Sequence, residues 1–420
     1  MKPTLLLLPF LALSFASGQT PRPGVNYDEA KVGSDPLPDL KLTTREDWEQ
    51  TRRPEILRLF EQHVYGRTPA DLGEPKFEVT ATKTDALGGL ATRKFIHISL
   101  PKFPAWQGMD VMLYTPNGVK AAPCFVGLSF VGNQAVSTET DVPISTRWMR
   151  PSKVKGAVID SRATEASRGN SSSRWPLEMI LKRGFALATC YYGDIEPDHA
   201  DGWKDGLRAA VSPEGANTVW KDGEWGAIGA WACGLSRIAD YLETDPQVDA
   251  GHLAVIGHSR LGKTSLWAGA QDPRFGIVIS NDSGEGGAAL MRRDYGETTA
   301  IITKAFPHWF TSTYAGYSGK AAACPTDAHM LIALAAPRPI YIASAAEDYW
   351  ADQKGEFLSG KHASPVYALY GKQGIVADEP PAIDHPVGDF VGYHNRTGEH
   401  SLTAYDWTQY LDFAARHWGR

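Results

Sequence analysis

Ser259 stands in the run Val255-Ile256-Gly257-His258-Ser259-Arg260-Leu261-Gly262-Lys263-Thr264-Ser265-Leu266-Trp267, where a β-branched apolar stretch passes through small residues into a helical pattern. A serine alcohol is a poor nucleophile unless a tight, exposed turn presents it beside a base, and strand, turn and helix in succession are the context that does so. The helix starting there also aims unpaired N–H groups at the anion that forms when the alcohol attacks a carbonyl. The spacing is G-x-S-x-x-G, not the commoner G-x-S-x-G, and it recurs at Gly127-Leu128-Ser129-Phe130-Val131-Gly132. There the chain continues Asn133-Gln134-Ala135-Val136-Ser137-Thr138, a poor helix opening, so context selects Ser259. Two roles stay open for loop 127–133: lining the site with oxyanion contacts, or simply ending a strand.

Activation of the alcohol needs an acid and then a histidine, downstream and in that order. Asp348, in Glu347-Asp348-Tyr349-Trp350-Ala351-Asp352, is the first choice of acid, with Glu347 the near alternative. Asp282, in Ser280-Asn281-Asp282-Ser283-Gly284-Glu285, is a second possible acid. A carboxylate in this role holds the imidazole tautomer and stabilises the imidazolium; the structural alternative is a charge at a helix N-terminus. Tyr393-His394-Asn395-Arg396-Thr397-Gly398-Glu399-His400 places two histidines in one loop, and His400, directly before the last helix, is preferred as base over His394. His258 is expected to buttress the turn. Asp194, Asp198, His199 and Asp201 crowd one segment, but without the helical spacing that aligns metal ligands, so a metal-dependent hydrolase is the weaker reading.

These residues need elements to hold them. Cys124-Phe-Val-Gly-Leu128, Ala186-Leu-Ala-Thr-Cys190, Leu253-Ala-Val-Ile256, Ile277-Val-Ile279 and Ile340-Tyr-Ile-Ala343 read as strands buried on both faces, the mark of a parallel sheet. Helical patterns fall between them, at 228–242 and 264–270, and a last one covers 404–417. The alternation predicts an α/β-hydrolase fold, a three-layer αβα sandwich around a mostly parallel central sheet. Upstream, Thr44 and Asp47 resemble a capping box opening a helix to about Tyr65. Three strand patterns between Phe77 and Tyr114 predict an antiparallel edge.

With 420 residues, 43% hydrophobic and 21% charged, the chain can bury a large core. Residues 1–18, with Lys2, a short apolar core and Ala16-Ser17-Gly18, read as a signal peptide, leaving residues 19–420 as a single catalytic domain that is secreted or periplasmic. The net charge of −6 gives no footprint for nucleic acid or anionic lipid, and no later stretch is apolar enough to span a membrane. Cys124, Cys190, Cys233 and Cys324 lie far apart without zinc-site spacing; at most two disulfides are possible, and buried free thiols are at least as plausible.

On these residues the chain resembles the glucuronoyl esterases, carbohydrate esterase family 15, whose members have G-x-S-R-x-G around the nucleophile, matching Gly257-His258-Ser259-Arg260-Leu261-Gly262. The resemblance extends through Asp272-Pro273-Arg274-Phe275, Ser283-Gly284-Glu285-Gly286-Gly287-Ala288, Tyr295-Gly296-Glu297, Glu347 to Asp352 and Gly398-Glu399-His400, over roughly Trp48 to the C-terminus. It implies hydrolysis of esters between a lignin alcohol and the carboxyl of (4-O-methyl-)glucuronic acid on glucuronoxylan, without cofactor or metal; separately, the protein is expected to be a monomer. It further implies Ser259 as nucleophile, His400 as base, Arg260 as oxyanion stabiliser, and Lys263, Glu297 and Trp350 as sugar contacts. The acid stays open, because members place it at the position of Asp282, usually as Glu, or at that of Asp348. An acetyl-xylan or feruloyl esterase is the rival enzyme, against which Arg260, Lys263 and Glu297 argue; a non-catalytic carbohydrate-binding relative is disfavoured by the intact triad residues.

Overall fold

A computed structural model describes residues 22–211 and 225–420. The expected signal peptide lies outside the described residues. The strands are β1 (Lys76–Asp85), β2 (Ala91–Ser99), β3 (Met109–Pro116), β4 (Ala122–Ser129), a small hairpin of β5 (Val158–Ile159) and β6 (Arg162–Ala163), then β7 (Ala186–Tyr191), β8 (Val248–His258), β9 (Phe275–Asn281), β10 (Ile340–Ala345) and β11 (Val391–Arg396). All but the hairpin join one nine-stranded sheet in the order β1-β2-β3-β7-β4-β8-β9-β10-β11. The first three strands and the β3/β7 pair are antiparallel, as expected for the edge; β7 to β11 run parallel.

The apolar runs are continuous because both faces are covered. Val126, Ala188, Val255, Val278 and Ile342 point to one face, where the helices Ala227–Leu242, Arg260–Gln271 and Gln353–Ala368 bring Trp231, Trp267 and Phe357. Phe125, Leu187, Ile256, Ile279 and Tyr341 point to the other, against Ile180 of Leu177–Lys182 and Trp407 and Leu411 of Ala404–Trp418. Each Val, Ile or Phe fully buried in these two layers contributes about 1.5–3 kcal/mol relative to exposure. The N-terminal helical run covers residues 45–65, and Thr44 accepts the Asp47 N–H at 3.1 Å as its cap.

Local expectations needed correction in three places. The helix after Ser259 begins at Arg260, not Thr264, so its first turn belongs to the bend. Residues Asn133–Val136 do form one helical turn, with Gly132 at a φ of 93° supplying the entry that the side chains lack. The segment read as a loop around His394 is strand β11, too polar in Gly392-Tyr393-His394-Asn395-Arg396 to carry a strand pattern. All four cysteines are buried and free. Among the described residues no helix is long and apolar enough to cross a membrane.

Strand β11 is tied to the last helix through a buried carboxylate. Asp406 accepts from His394 Nε2 at 2.9 Å, Arg396 Nε at 2.8 Å and the Thr403 backbone N–H at 2.7 Å, the last completing a capping box. Asp406→Ala strands a buried guanidinium, and we expect it to lower the free energy of unfolding by about 3–5 kcal/mol, read from the urea midpoint. A loss under about 1 kcal/mol would show that the network is not what holds the edge strand.

Candidate active site

Strand β8 ends at His258, and Ser259 turns the chain with φ 57° and ψ −127° before the helix Arg260–Gln271 begins. Only small neighbours permit this. A Cβ on Gly257 would lie 1.8 Å from the Leu261 carbonyl oxygen, and one on Gly262 would lie 3.0 Å from Ser283 Cβ. The Ser259 N–H donates to the Asn281 carbonyl at 2.9 Å, which pins the bend to strand β9. Its own carbonyl accepts the Gly262 N–H at 2.8 Å, so the N–H groups of Arg260 and Leu261 have no acceptor within the helix.

Ser259 and His400 line one cavity of about 260 Å³. His400 Nδ1 is 2.5 Å from Asp348 Oδ2, and that carboxylate is fully buried, so the imidazole is held by one ring nitrogen with Nε2 left over. Asp348 follows β10, and His400 follows β11. Glu347 is half-buried and joins the same loop through its backbone N–H to Gly398 O, at 3.0 Å. His394 is not in the cavity: it is buried in β11, bonded to Asp406 and 3.1 Å from the Tyr341 hydroxyl.

Asp282 also lines the cavity, at the end of β9 with φ 45°. Its Oδ2 accepts the Ser401 N–H at 3.3 Å and lies 3.6 Å from Arg396, while its buried Oδ1 has no partner among the described residues. Burial, and then the charge of Asp348, push this carboxyl well above the usual range, against the pull of Arg396. His258 is buried, with Nδ1 2.6 Å from Asn281 Oδ1 and its ring centroid 4.5 Å from that of His400. Burial, and then the closeness of the His400 ring, hold its pKa well below the ordinary imidazole value. His258, Asp282 and His400 bring ligand-capable atoms within 4.8 Å of one another, but Asn281 and Asp348 already occupy a nitrogen of each histidine.

Arg260 reaches the cavity wall and pairs with Asp198 at 2.5 Å. Asp198 is fully buried and also accepts from His308 Nε2 at 2.8 Å, Trp309 Nε1 at 2.7 Å and the Tyr192 hydroxyl at 2.8 Å. Burial opposes its charge, but His308, Arg260 and Trp309 outweigh burial and hold it well below the usual carboxylate range. The guanidinium carbon lies 4.7 Å from the Trp309 ring centroid and 5.5 Å from those of Phe130 and Phe306. Loop 127–133 thus does touch the site, through Phe130.

Lys263 is buried, donates to Ser283 O at 2.5 Å and lies 3.9 Å from Glu297. Burial lowers the Lys263 pKa and raises that of Glu297, each partly offset by the other's charge. Trp350 lines the same cavity, and the guanidinium of Arg22 lies 3.6 Å over its ring. Sequence reasoning expected that indole face to be open.

Comparison with known proteins follows the same line. The family model for fungal glucuronyl esterases matches residues 215–371. The solved glucuronoyl esterase from Solibacter usitatus superposes with a TM-score of 0.87 at 47% identity, covering 93% of this chain and 100% of its own. A CE15 esterase from a marine bacterial metagenome, described as promiscuous, gives 0.87 at 43% identity over 94% of this chain and 100% of its own. Carbohydrate esterase MZ0003, from an unknown prokaryotic organism, is 44% identical over 403 residues, 94% of this chain and 92% of its own length. The chain belongs to the CE15 glucuronoyl esterases. It is a carboxylic ester hydrolase with the α/β-hydrolase fold.

In this CE15 chain the sequence reasoning missed Asp198, considered only as a metal ligand, and the aromatic frame of Phe130, Phe306 and Trp309 around Arg260. The signal for Asp198 was present: a lone arginine beside the nucleophile needs a buried counter-charge. Arg22 had no signal, since it is 237 positions before Ser259 (259 − 22) with no pattern around it. The bend itself is testable. A non-glycine residue at positive φ costs about 1–3 kcal/mol, so Ser259→Gly should melt higher than Ser259→Ala by the equivalent of about 1 kcal/mol. Equal melting temperatures would mean that the bend is unstrained.

Proposed function

We propose that this esterase cleaves the ester between a lignin alcohol and the carboxyl of (4-O-methyl-)glucuronic acid on glucuronoxylan, with Ser259, His400 and Asp348 as its triad. The observation that carries this is the 2.5 Å contact of Asp348 with His400 in a cavity that Ser259, Lys263 and Glu297 also line. Ser259 Oγ attacks the uronate carbonyl carbon while His400 Nε2 takes its proton, and Asp348 stabilises the resulting imidazolium. The oxyanion faces the Arg260 guanidinium and the free N–H groups of the helix start; one such donor is typically worth about 10²–10³ in rate. His400 returns the proton to the departing alcohol, and water then attacks the acyl-enzyme by the same path in reverse order, giving free glucuronate.

Lys263 and Glu297 suit the sugar: a donor and an acceptor, buried side by side, can bracket neighbouring hydroxyls. Asp282 acts as a hydrogen-bonding neighbour rather than as the acid, since burial and the charge of Asp348 both disfavour its charged form. We read residues 1–18 as an export signal, and the remainder as one monomeric domain released from the cell. The relative described as promiscuous gives a second reading, activity on acetyl or feruloyl esters, a place.

Two assays follow. Wild type should release glucuronate from benzyl glucuronate well above its release of acetate from acetylated xylan, and Ser259→Ala should lower kcat by roughly 10⁴-fold or more; the opposite preference would replace the substrate proposed here. Asp348→Asn should cost about 10²–10⁴ in kcat, while Asp282→Asn stays within about tenfold. If only the Asp282 variant loses rate, the acid has been misassigned.

A further inference from the structure

The chain just after residue 21 lies along the loop that ends in Glu297. The Gly296 N–H donates to Asn26 O at 2.9 Å, and the Gly33 N–H donates to Arg293 O at 2.9 Å. Glu29 pairs with Arg293 at 2.5 Å and sits 3.7 Å from Lys354; Tyr27 meets Tyr295 edge-on at 6.0 Å. Contact is close throughout, since a Cβ on Gly33 would fall 2.1 Å from the Arg292 carbonyl oxygen. Residues 22–33 are therefore a strap fastened to the segment that positions Glu297.

Arg22 stands at the N-terminal side of this strap. Its guanidinium covers the Trp350 ring at 3.6 Å and lines the cavity that holds Ser259, His400 and Glu297. Among the described residues it has no carboxylate within ion-pair distance and no side-chain hydrogen bond, so stacking alone orients a fork of five N–H donors. An exposed cation–π contact is worth only about 0.5–1 kcal/mol, enough to bias the fork but not to consume its donors. Its charge is also felt by Glu297 across the pocket. One face of the indole thus serves as the platform for Arg22.

Resting on the function proposed above, we infer that Arg22 is a specificity-determining residue: the strap walls the sugar side of the cavity, and the Arg22 fork donates to hydroxyl or ether oxygens of the bound glucuronate, opposite the acceptor Glu297. Sugar oxygens suit it because a donor-only fork and an acceptor carboxylate on facing walls bracket hydroxyls from both sides. The alcohol of the ester departs from the Ser259 side and is not expected to meet this wall.

Full-length enzyme carrying Arg22→Ala or Arg22→Lys tests this with benzyl and methyl glucuronate. Arg22→Ala should raise KM by roughly 5- to 10-fold for both esters, with kcat within about twofold and an unchanged melting temperature; this is the size of one ordinary, solvent-exposed hydrogen bond. Arg22→Lys should recover only part of the loss, because the charge returns without the fork. In the Ser259→Ala background, the affinity for methyl glucuronate, read from tryptophan fluorescence, should fall by the same factor. An unchanged KM would reduce the strap to structure, and a lowered KM would make the guanidinium a plug on Trp350; either overturns the inference, as does a loss confined to kcat. A wild type inactive on both glucuronates would overturn the proposed function along with it, whereas an active wild type with an indifferent Arg22→Ala would overturn the role of Arg22 alone.

Discussion

Parallel register decides where the reactive groups can stand. Strands β8 and β9 pair His258 with Asn281, β9 and β10 pair Asn281 with Ala343, and β10 and β11 pair Ala343 with His394, so four consecutive strands end nearly level. Ser259 and Asp282 follow their strands directly, whereas Asp348 and His400 come three and four residues past theirs, at the tips of loops that lean back over the edge. Slipping one strand by a residue would invert its buried face and carry its loop away from Ser259. Both costs fall together, which is why the packing of Tyr341, Phe357 and Trp407 matters to a site that none of them touches.

The buried charges around the cavity are set in pairs. Arg260 is the clearest case: a permanent cation at the mouth of a buried bend, neutralised from behind by Asp198, which in turn takes four more hydrogen bonds. The arrangement leaves the guanidinium fixed, with little freedom to lose when an anion forms in front of it, and preorganised donors are worth most where water is excluded. Lys263 and Glu297 solve the same problem differently. At 3.9 Å they compensate each other only in part, and both are driven toward their neutral forms, a state suited to exchanging hydrogen bonds with hydroxyl groups.

The elements whose signals are local could be read directly from residues. The run from Val255 to Gly262 declares strand, bend and helix because the bend tolerates nothing larger than glycine at 257, and the both-faces-buried strands declare themselves by unbroken apolar composition. Strand β11 was illegible for the opposite reason: its side chains answer to partners elsewhere, His394 and Arg396 to Asp406, so its composition is that of a loop. Asp198 and Arg22 were invisible for a related cause. Each acts on a residue more than 60 positions away (260 − 198 = 62; 350 − 22 = 328), and no periodicity links sites that only tertiary folding brings together.

Two carboxyls beside one imidazole pose the sharpest question about this chain, because the family resemblance leaves both positions open for the acid. One imidazolium can neutralise one buried anion; a second anion at the same distance would stand uncompensated and cost several kcal/mol. Each keeps one buried oxygen without a partner among the described residues, but the other oxygen of Asp348 has the His400 ring nitrogen at 2.5 Å, whereas that of Asp282 has a backbone N–H at 3.3 Å, the Arg396 guanidinium at 3.6 Å and His258 at 3.8 Å. The geometry favours Asp348 as the partner of His400, while burial and the charge of Asp348 both disfavour the ionised form of Asp282. On the assignment proposed here the second carboxyl does not share the work of the first, and removing Asp348 would make its ionisation less costly, since the repelling charge is gone and His400 then has no other anion to face.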